Sequence, residues 1–305
     1  MNKVRAAVVQ AAPVTFDLEA TLDKVERLAA EAGAVDLLVF PEAFVSGYPR
    51  GASFGAVVGS RSAQGRELYR RYAESSITVP GPATERLGRI AARHGCRLVI
   101  GVIERGGDTL YCTALTFDAD GELLGKHRKL MPTGSERLVW GFGDGSTMPV
   151  HDTAIGRIGT VICWENYMPA MRMHMYAKGV QLYCAPTADP RDSWVASMRH
   201  IACEGRCFVL AANQFARRSD FPADYPLETG DPDEVLCRGA SVIVDPLGEI
   251  LAGPATEGET VLHAELDLGR ITEGKYDFDA VGHYARPDIF TLNVNTAEQH
   301  AVTEQ

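Results

Sequence analysis

A chain of 305 residues, 46% hydrophobic and 23% charged, has the composition of a globular protein that can bury a large core without disulfide or metal staples. The formal charge of −10, the pI near 5.3 and the lack of a basic stripe argue against a nucleic-acid partner. No apolar run reaches the roughly 18 residues of a membrane span, and the opening M-N-K-V-R-A-A-V-V-Q reads as a first strand, not a secretion signal. Seven cysteines, an odd and scattered set, form no disulfide framework and suit a reducing cytoplasm.

Arg5 to Ala12 is an apolar strand segment. Asp17 can cap a helix whose Leu18, Leu22, Val25, Ala29 and Ala32 share one face, with Gly33 as its stop. Val35 to Phe40 is a second strand, ending at Pro41-Glu42. A glycine-rich loop over 47–65 leads to helices near 65–75 and 83–94. Strands at Arg97–Glu104, Leu110–Phe117 and Glu122–Lys129 make a meander, turning at Asp118-Ala119-Asp120-Gly121. After a long loop, 131–147, two strands join near Ala154 to Arg157, and the second ends at Cys163. Helix 169–178, strand 180–185, helix 192–205 and strand 208–213 follow. A hairpin turns at Pro246-Leu247, and Thr260–Leu266 is the final strand. Residues 1–285 read as a single α/β domain, and 286–305 as a C-terminal arm or tail.

Three strand ends carry polar side chains where chemistry is usually placed: Glu42, Lys129 and Cys163. Taken singly they are a capping carboxylate, a basic edge beside Lys126, His127 and Arg128, and a small buried hydrophobe. Together they are complementary. A thiol of ordinary pKa is only a few per cent thiolate at neutral pH. A carboxylate can take its proton during attack, and an ammonium favours negative charge on sulfur or substrate.

The segments F-P-E-A-F-V-S-G-Y-P-R-G (40–51), H-R-K-L-M-P-T-G-S-E-R-L-V-W-G-F-G-D-G-S (127–146) and I-C-W-E-N-Y-M-P (162–169) resemble the nitrilase (carbon-nitrogen hydrolase) superfamily. The likeness continues through Y-C-A-P-T-A-D (183–189), S-M-R-H-I-A-C-E-G-R-C-F-V-L (197–210) and V-G-H-Y-A-R-P-D-I-F (281–290), so it spans nearly the whole chain. C-W-E-N is similar to the true-nitrilase branch, especially plant-type nitrilases and their bacterial relatives. Amidase branches often carry tyrosine or aspartate after the cysteine.

The resemblance implies a four-layer α-β-β-α sandwich and a catalytic set of Glu42, Lys129 and Cys163, with Glu136 as a second glutamate. It implies hydrolysis of a small-molecule nitrile through a Cys163 thioimidate and thioester, and a homodimer or larger ring or spiral. Tyr48 and Trp164 are expected to line the substrate pocket, and Glu165 and Asn166 to satisfy backbone donors at a helix start. No cofactor is implied. His200, Cys203 and Cys207 share a helical face, but packing explains them better than zinc, and G-F-G-D-G-S (141–146) is a turn, not a phosphate loop. The rival readings are an amidase or carbamoyl hydrolase with the same triad, or a non-catalytic thiol-sensing subunit.

Overall fold

The structure, a computed structural model, describes residues 3–300 and 302. The first half runs β1 (Lys3–Gln10), α1 (Leu18–Ala32), β2 (Leu37–Val39), β3 (Ala56–Val57), β4 (Ser60–Arg61), α2 (Ala63–Glu74), α3 (Pro82–His94), β5 (Arg97–Gly106), β6 (Thr109–Phe117) and β7 (Leu123–Arg128). The second runs β8 (Val150–Thr153), β9 (Gly156–Thr160), α4 (Pro169–Ala177), β10 (Leu182–Cys184), α5 (Asp192–Gly205), β11 (Phe208–Ala211), β12 (Phe215–Arg217), β13 (Val235–Arg238), β14 (Ser241–Val244), β15 (Ile250–Ala255), β16 (Thr260–Asp267) and α6 (Gly269–Asp277).

Two six-stranded sheets result, in the orders β16-β1-β2-β5-β6-β7 and β15-β14-β11-β10-β9-β8. Near-continuous apolar strands are what a sheet covered on both faces requires. On β1 the alternation divides cleanly: Ala7 and Val9 face α1 and α3, whereas Val4, Ala6 and Val8 face the other sheet. The inter-sheet layer packs those residues, with Leu37, Val39 and Val99, against Ile158, Leu182, Phe208, Leu210 and Ile243. Beyond the second sheet, Met171 and Met175 of α4 and Trp194, Met198 and Ile201 of α5 cover Tyr183, Val209 and Val242. The layers are therefore α-β-β-α, as the resemblance implied.

The helix caps follow the expected chemistry. Asp17 accepts the Ala20 N–H, and Gly33, at φ +65°, turns the chain out of α1. Three differences from the sequence reading have local causes. The loop 47–65 contains the β3–β4 hairpin, and α2 starts at Ala63 because Ser62 caps it through Gly65 N–H. The pair β12–β13 was not anticipated, since a bulge at Ala216/Arg217 breaks its alternation. Helix α6 was also missed; only Ile271 and Gly274 are buried in it, too few for a periodic face. Residues 286–300 carry neither helix nor strand and run past the 144–148 loop, where Gln299 N–H donates to Asp144 at 2.8 Å. Residues 301 and 303–305 lie outside the described set.

Where β2 ends, the chain crosses directly over Gly101 of β5. Gly101 N–H donates to Pro41 O at 3.2 Å, and Val45 N–H donates to Gly101 O at 3.0 Å. A Cβ on Gly101 would lie 2.4 Å from Pro41 O, 2.5 Å from Ala43 N and 2.7 Å from Glu42 Cα, all backbone atoms. Gly101→Ala must therefore lift the turn that carries Glu42. Such overpacking costs about 1–3 kcal/mol, and a misplacement near 1 Å in a reacting group costs about 100-fold in rate. Thermal melts and steady-state kinetics of this variant should show a Tm several degrees lower and a larger loss of kcat. An unchanged rate would contradict the packing argument.

Candidate active site

Strand periodicity sorts the basic run at the end of β7. Lys126 and Arg128 point to one side, where both meet the buried Glu104 at 2.6 Å. His127 and Lys129 point to the other side, into the protein. Lys129 is thus no solvated edge: it is 1% exposed, and its Nζ lies 2.6 Å from Glu42 Oε1 and 2.8 Å from Glu136 Oε2. Glu42 is fully buried and Glu136 is 8% exposed. Glu136 also accepts the Tyr48 hydroxyl at 2.7 Å and the Thr133 N–H at 2.6 Å. The alternative of a loop glutamate bridging to Arg128 or Arg137 does not arise, because Arg128 serves Glu104 and Arg137 donates to Pro132 O.

Cys163 follows the end of β9 and opens a tight helical turn, Cys163–Tyr167. Its φ of +50° is a left-handed conformation that a residue with a Cβ adopts only when its surroundings hold it there. Three bonds do so. Cys163 N–H donates to Pro186 O at 2.9 Å; Asn166 Nδ2 donates to Cys163 O at 2.8 Å and to Val161 O at 2.9 Å. The Tyr183 hydroxyl, donating to Asn166 Oδ1, fixes the amide's orientation. The thiol is 5% exposed and accepts a hydrogen bond from Thr187 Oγ1 at 3.2 Å.

The charges explain the chemistry of the cluster. Burial raises the Glu42 carboxyl above its usual value; Lys129 opposes this and the negative charge of Glu136 adds to it. Burial alone would lower Lys129, but the charge of Glu42, with that of Glu136, holds it well above the ordinary lysine value, so it is an ammonium. Burial first, then the charge of Glu42, pushes the Cys163 thiol up, with Lys129 opposing. The resting sulfur is therefore a neutral thiol. The ammonium does favour thiolate, but desolvation and two carboxylates outweigh that one cation. Glu42 Oε1 is occupied by Lys129, while Oε2, buried, has no hydrogen-bond partner. That oxygen is available to take a proton.

A cavity of about 510 Å³ is lined by Tyr48, Arg50, Ser53, Glu136, Leu138 and Val139, among others. It reaches the cluster at Glu136 and Tyr48, which both stand on its wall. Trp164 does not line that cavity. Its indole N–H donates to Asp189 at 2.8 Å and its ring lies under the Arg191 guanidinium at 4.3 Å. Glu165 accepts the backbone N–H groups of Ile162 and Leu130, whereas Asn166, expected to do likewise, donates its amide to the carbonyls of Val161 and Cys163 instead. His200 is solvent-facing, with 67% of its side chain exposed, so the packing expected of it does not occur, whereas Cys207, past the end of α5, is buried in the core.

Sequence reading passed over Thr187. It follows β10 as a polar residue after a buried strand, the signal that marked the other three, and would have been found by applying that rule once more. It also passed over the pairing of His127 with Glu165, which joins residues 38 apart in the chain.

The carbon-nitrogen hydrolase family profile matches residues 5–276. The chain is 58% identical to an aliphatic nitrilase from Sinorhizobium fredii (strain HH103), over 99% of both chains. It is 57% identical to a bifunctional nitrilase/nitrile hydratase from Nicotiana tabacum, over 98% of this chain and 87% of that one. Among solved structures, a carbon-nitrogen hydrolase from Helicobacter pylori G27 superposes with a TM-score of 0.72 at 22% identity, covering 95% of this chain and 97% of that one. A buried glutamate–lysine–cysteine cluster at three strand ends, on a four-layer sandwich matched over nearly its full length, leads to one assignment: the chain belongs to the carbon-nitrogen hydrolase family.

Proposed function

We propose that this protein is a nitrilase that converts an organic nitrile and two waters to the carboxylic acid and ammonia, with Cys163 as nucleophile. The observation that carries this reading is the arrangement at Glu42, one oxygen bound to Lys129 at 2.6 Å and the other unpartnered beside a neutral thiol. Cys163 Sγ bonds to the nitrile carbon as Glu42 Oε2 takes the thiol proton. Negative charge develops on the nitrile nitrogen, and the Lys129 ammonium stabilises it. The Trp164 backbone N–H, at the start of a helical turn where such donors lack intrahelical partners, assists. A preorganised donor of this kind is worth about 3–4 kcal/mol.

Water then adds to the thioimidate with Glu42 as base. The tetrahedral intermediate expels ammonia, leaving a thioester that a second water opens. Loss of sulfur at the tetrahedral stage instead releases amide after a single hydration. The likeness to a bifunctional nitrilase/nitrile hydratase favours some amide as a second product. Matched nitrile and amide substrates separate this reading from that of an amidase or carbamoyl hydrolase.

Among the described residues no helix is long and apolar enough to cross a membrane. We place the working unit in the cytoplasm as a homodimer or larger assembly. The exposed Tyr276, Tyr284, Ile289, Phe290 and Leu292, on α6 and the segment after it, support assembly.

Cys163→Ala should abolish both acid and ammonia formation in a nitrile panel while the thermal melt stays within a few degrees of the parent. Turnover in that variant would remove the covalent mechanism. The pH profile gives a second check. Glu42 acts only when unprotonated and its carboxyl is raised, so kcat/KM should fall as pH drops through a value above the usual carboxylate range. An acidic limb at or below that range would contradict the assigned base.

A further inference from the structure

Lys129 and Cys163 come from different sheets: Lys129 follows β7 at the edge of one, and Cys163 follows β9 in the other. Apolar packing between sheets is non-directional and does not by itself fix their relative position to the accuracy that chemistry needs. One carboxylate bridges the gap. Glu165 Oε1 accepts the N–H of Leu130, next to Lys129, at 2.6 Å, and Oε2 accepts the N–H of Ile162, next to Cys163, at 2.9 Å. His127 Nε2 meets the same Oε2 at 2.9 Å, and His127 Nδ1 meets Thr147 O at 2.5 Å. Both ring nitrogens thus face acceptors, the arrangement of an imidazolium that donates twice. Glu165 and His127 are 1% and 2% exposed, so the clasp is sealed from solvent.

We propose that Glu165, held by His127, is a positioning residue that sets the placement of Lys129 against Cys163 and so decides which group the tetrahedral intermediate expels. This rests on the nitrile-hydrolysing reading above. The intermediate carries sulfur, an oxyanion and an amino group on one carbon. For ammonia to leave, the amino nitrogen must be protonated; the oxyanion pair re-forms C=O while the C–N bonding pair departs with nitrogen. If the proton-donating cluster of Lys129 and Glu42 is displaced from that nitrogen, the C–S bond breaks instead. Its pair goes to sulfur, which is reprotonated, and amide is released. No oxidant or reductant enters either branch.

The test uses the full chain and whichever of butyronitrile, benzonitrile and phenylacetonitrile the parent hydrolyses fastest, with acid and amide quantified in parallel. Glu165→Gln should raise the amide-to-acid ratio by about fivefold or more, the scale expected when two competing barriers shift relative to each other by about 1.6 RT. His127→Phe, which leaves both backbone N–H bonds to Glu165 in place, should raise the ratio in the same direction, and it serves if Glu165→Gln does not fold. Folding is checked by thermal melt. A structural role alone would lower both products together, so a folded variant of either kind with the parent ratio overturns the proposal. Absence of nitrile turnover in the parent would instead refute the underlying function.

Discussion

One ammonium held between two carboxylates, out of reach of water, is the constraint on which the rest of this structure depends. Taking an ion out of water costs several kcal/mol after relaxation, and only close, well-bonded counter-charges offset it. Lys129, at 2.6 and 2.8 Å from Glu42 and Glu136, meets that condition. The cluster nevertheless carries one more negative charge than positive. That surplus, with burial, raises the proton affinity of Glu42 and keeps Cys163 as a thiol. The site therefore differs from thiol enzymes that store a ready thiolate beside an imidazolium. In the proposed mechanism its sulfur is activated only as attack proceeds, and Glu42, the base assigned there, is made stronger by its neighbours.

Such a site is held against its own stability. A carboxyl whose folded pKa is raised is less stable ionised in the folded state than in the unfolded chain, so ionised Glu42 lowers stability at neutral pH. The left-handed backbone at Ala43, Ser46 and Cys163 adds strain at two of the three strand ends. The sandwich core bears this load. Close backbone contact at Gly101 seats the Glu42 turn, a hydrogen bond from the Asn166 amide and one from Cys163 N–H to the Pro186 carbonyl hold the Cys163 turn, and Tyr48 and Thr133 fix Glu136 against Lys129.

Much of this was legible along the chain because its signals are local. A polar side chain ending an apolar strand marked Glu42, Lys129 and Cys163, and period-two alternation separates Lys129 from Lys126 and Arg128, which pair with Glu104 on the opposite side. The motifs resembling nitrilases supplied Glu136 and the sandwich. What escaped was non-local or weakly patterned. Trp164 finds its partner, Asp189, 25 residues away, and the His127–Glu165 clasp spans two sheets. Helix α6 buries too little to leave a periodic trace, and the bulge in β12–β13 erases theirs. How far the Cys163 thiol is raised was not legible either, because it depends on how many charges converge in a buried volume, which spacing does not reveal.

The central claim is that Glu136, through its charge, strengthens Glu42 as the base. Glu136→Gln keeps the shape and removes that charge. The direct measurement is the kcat/KM pH profile of this variant beside the parent. With the negative neighbour gone, the acidic limb assigned to Glu42 should move to lower pH. A limb that stays in place or moves to higher pH would contradict the account.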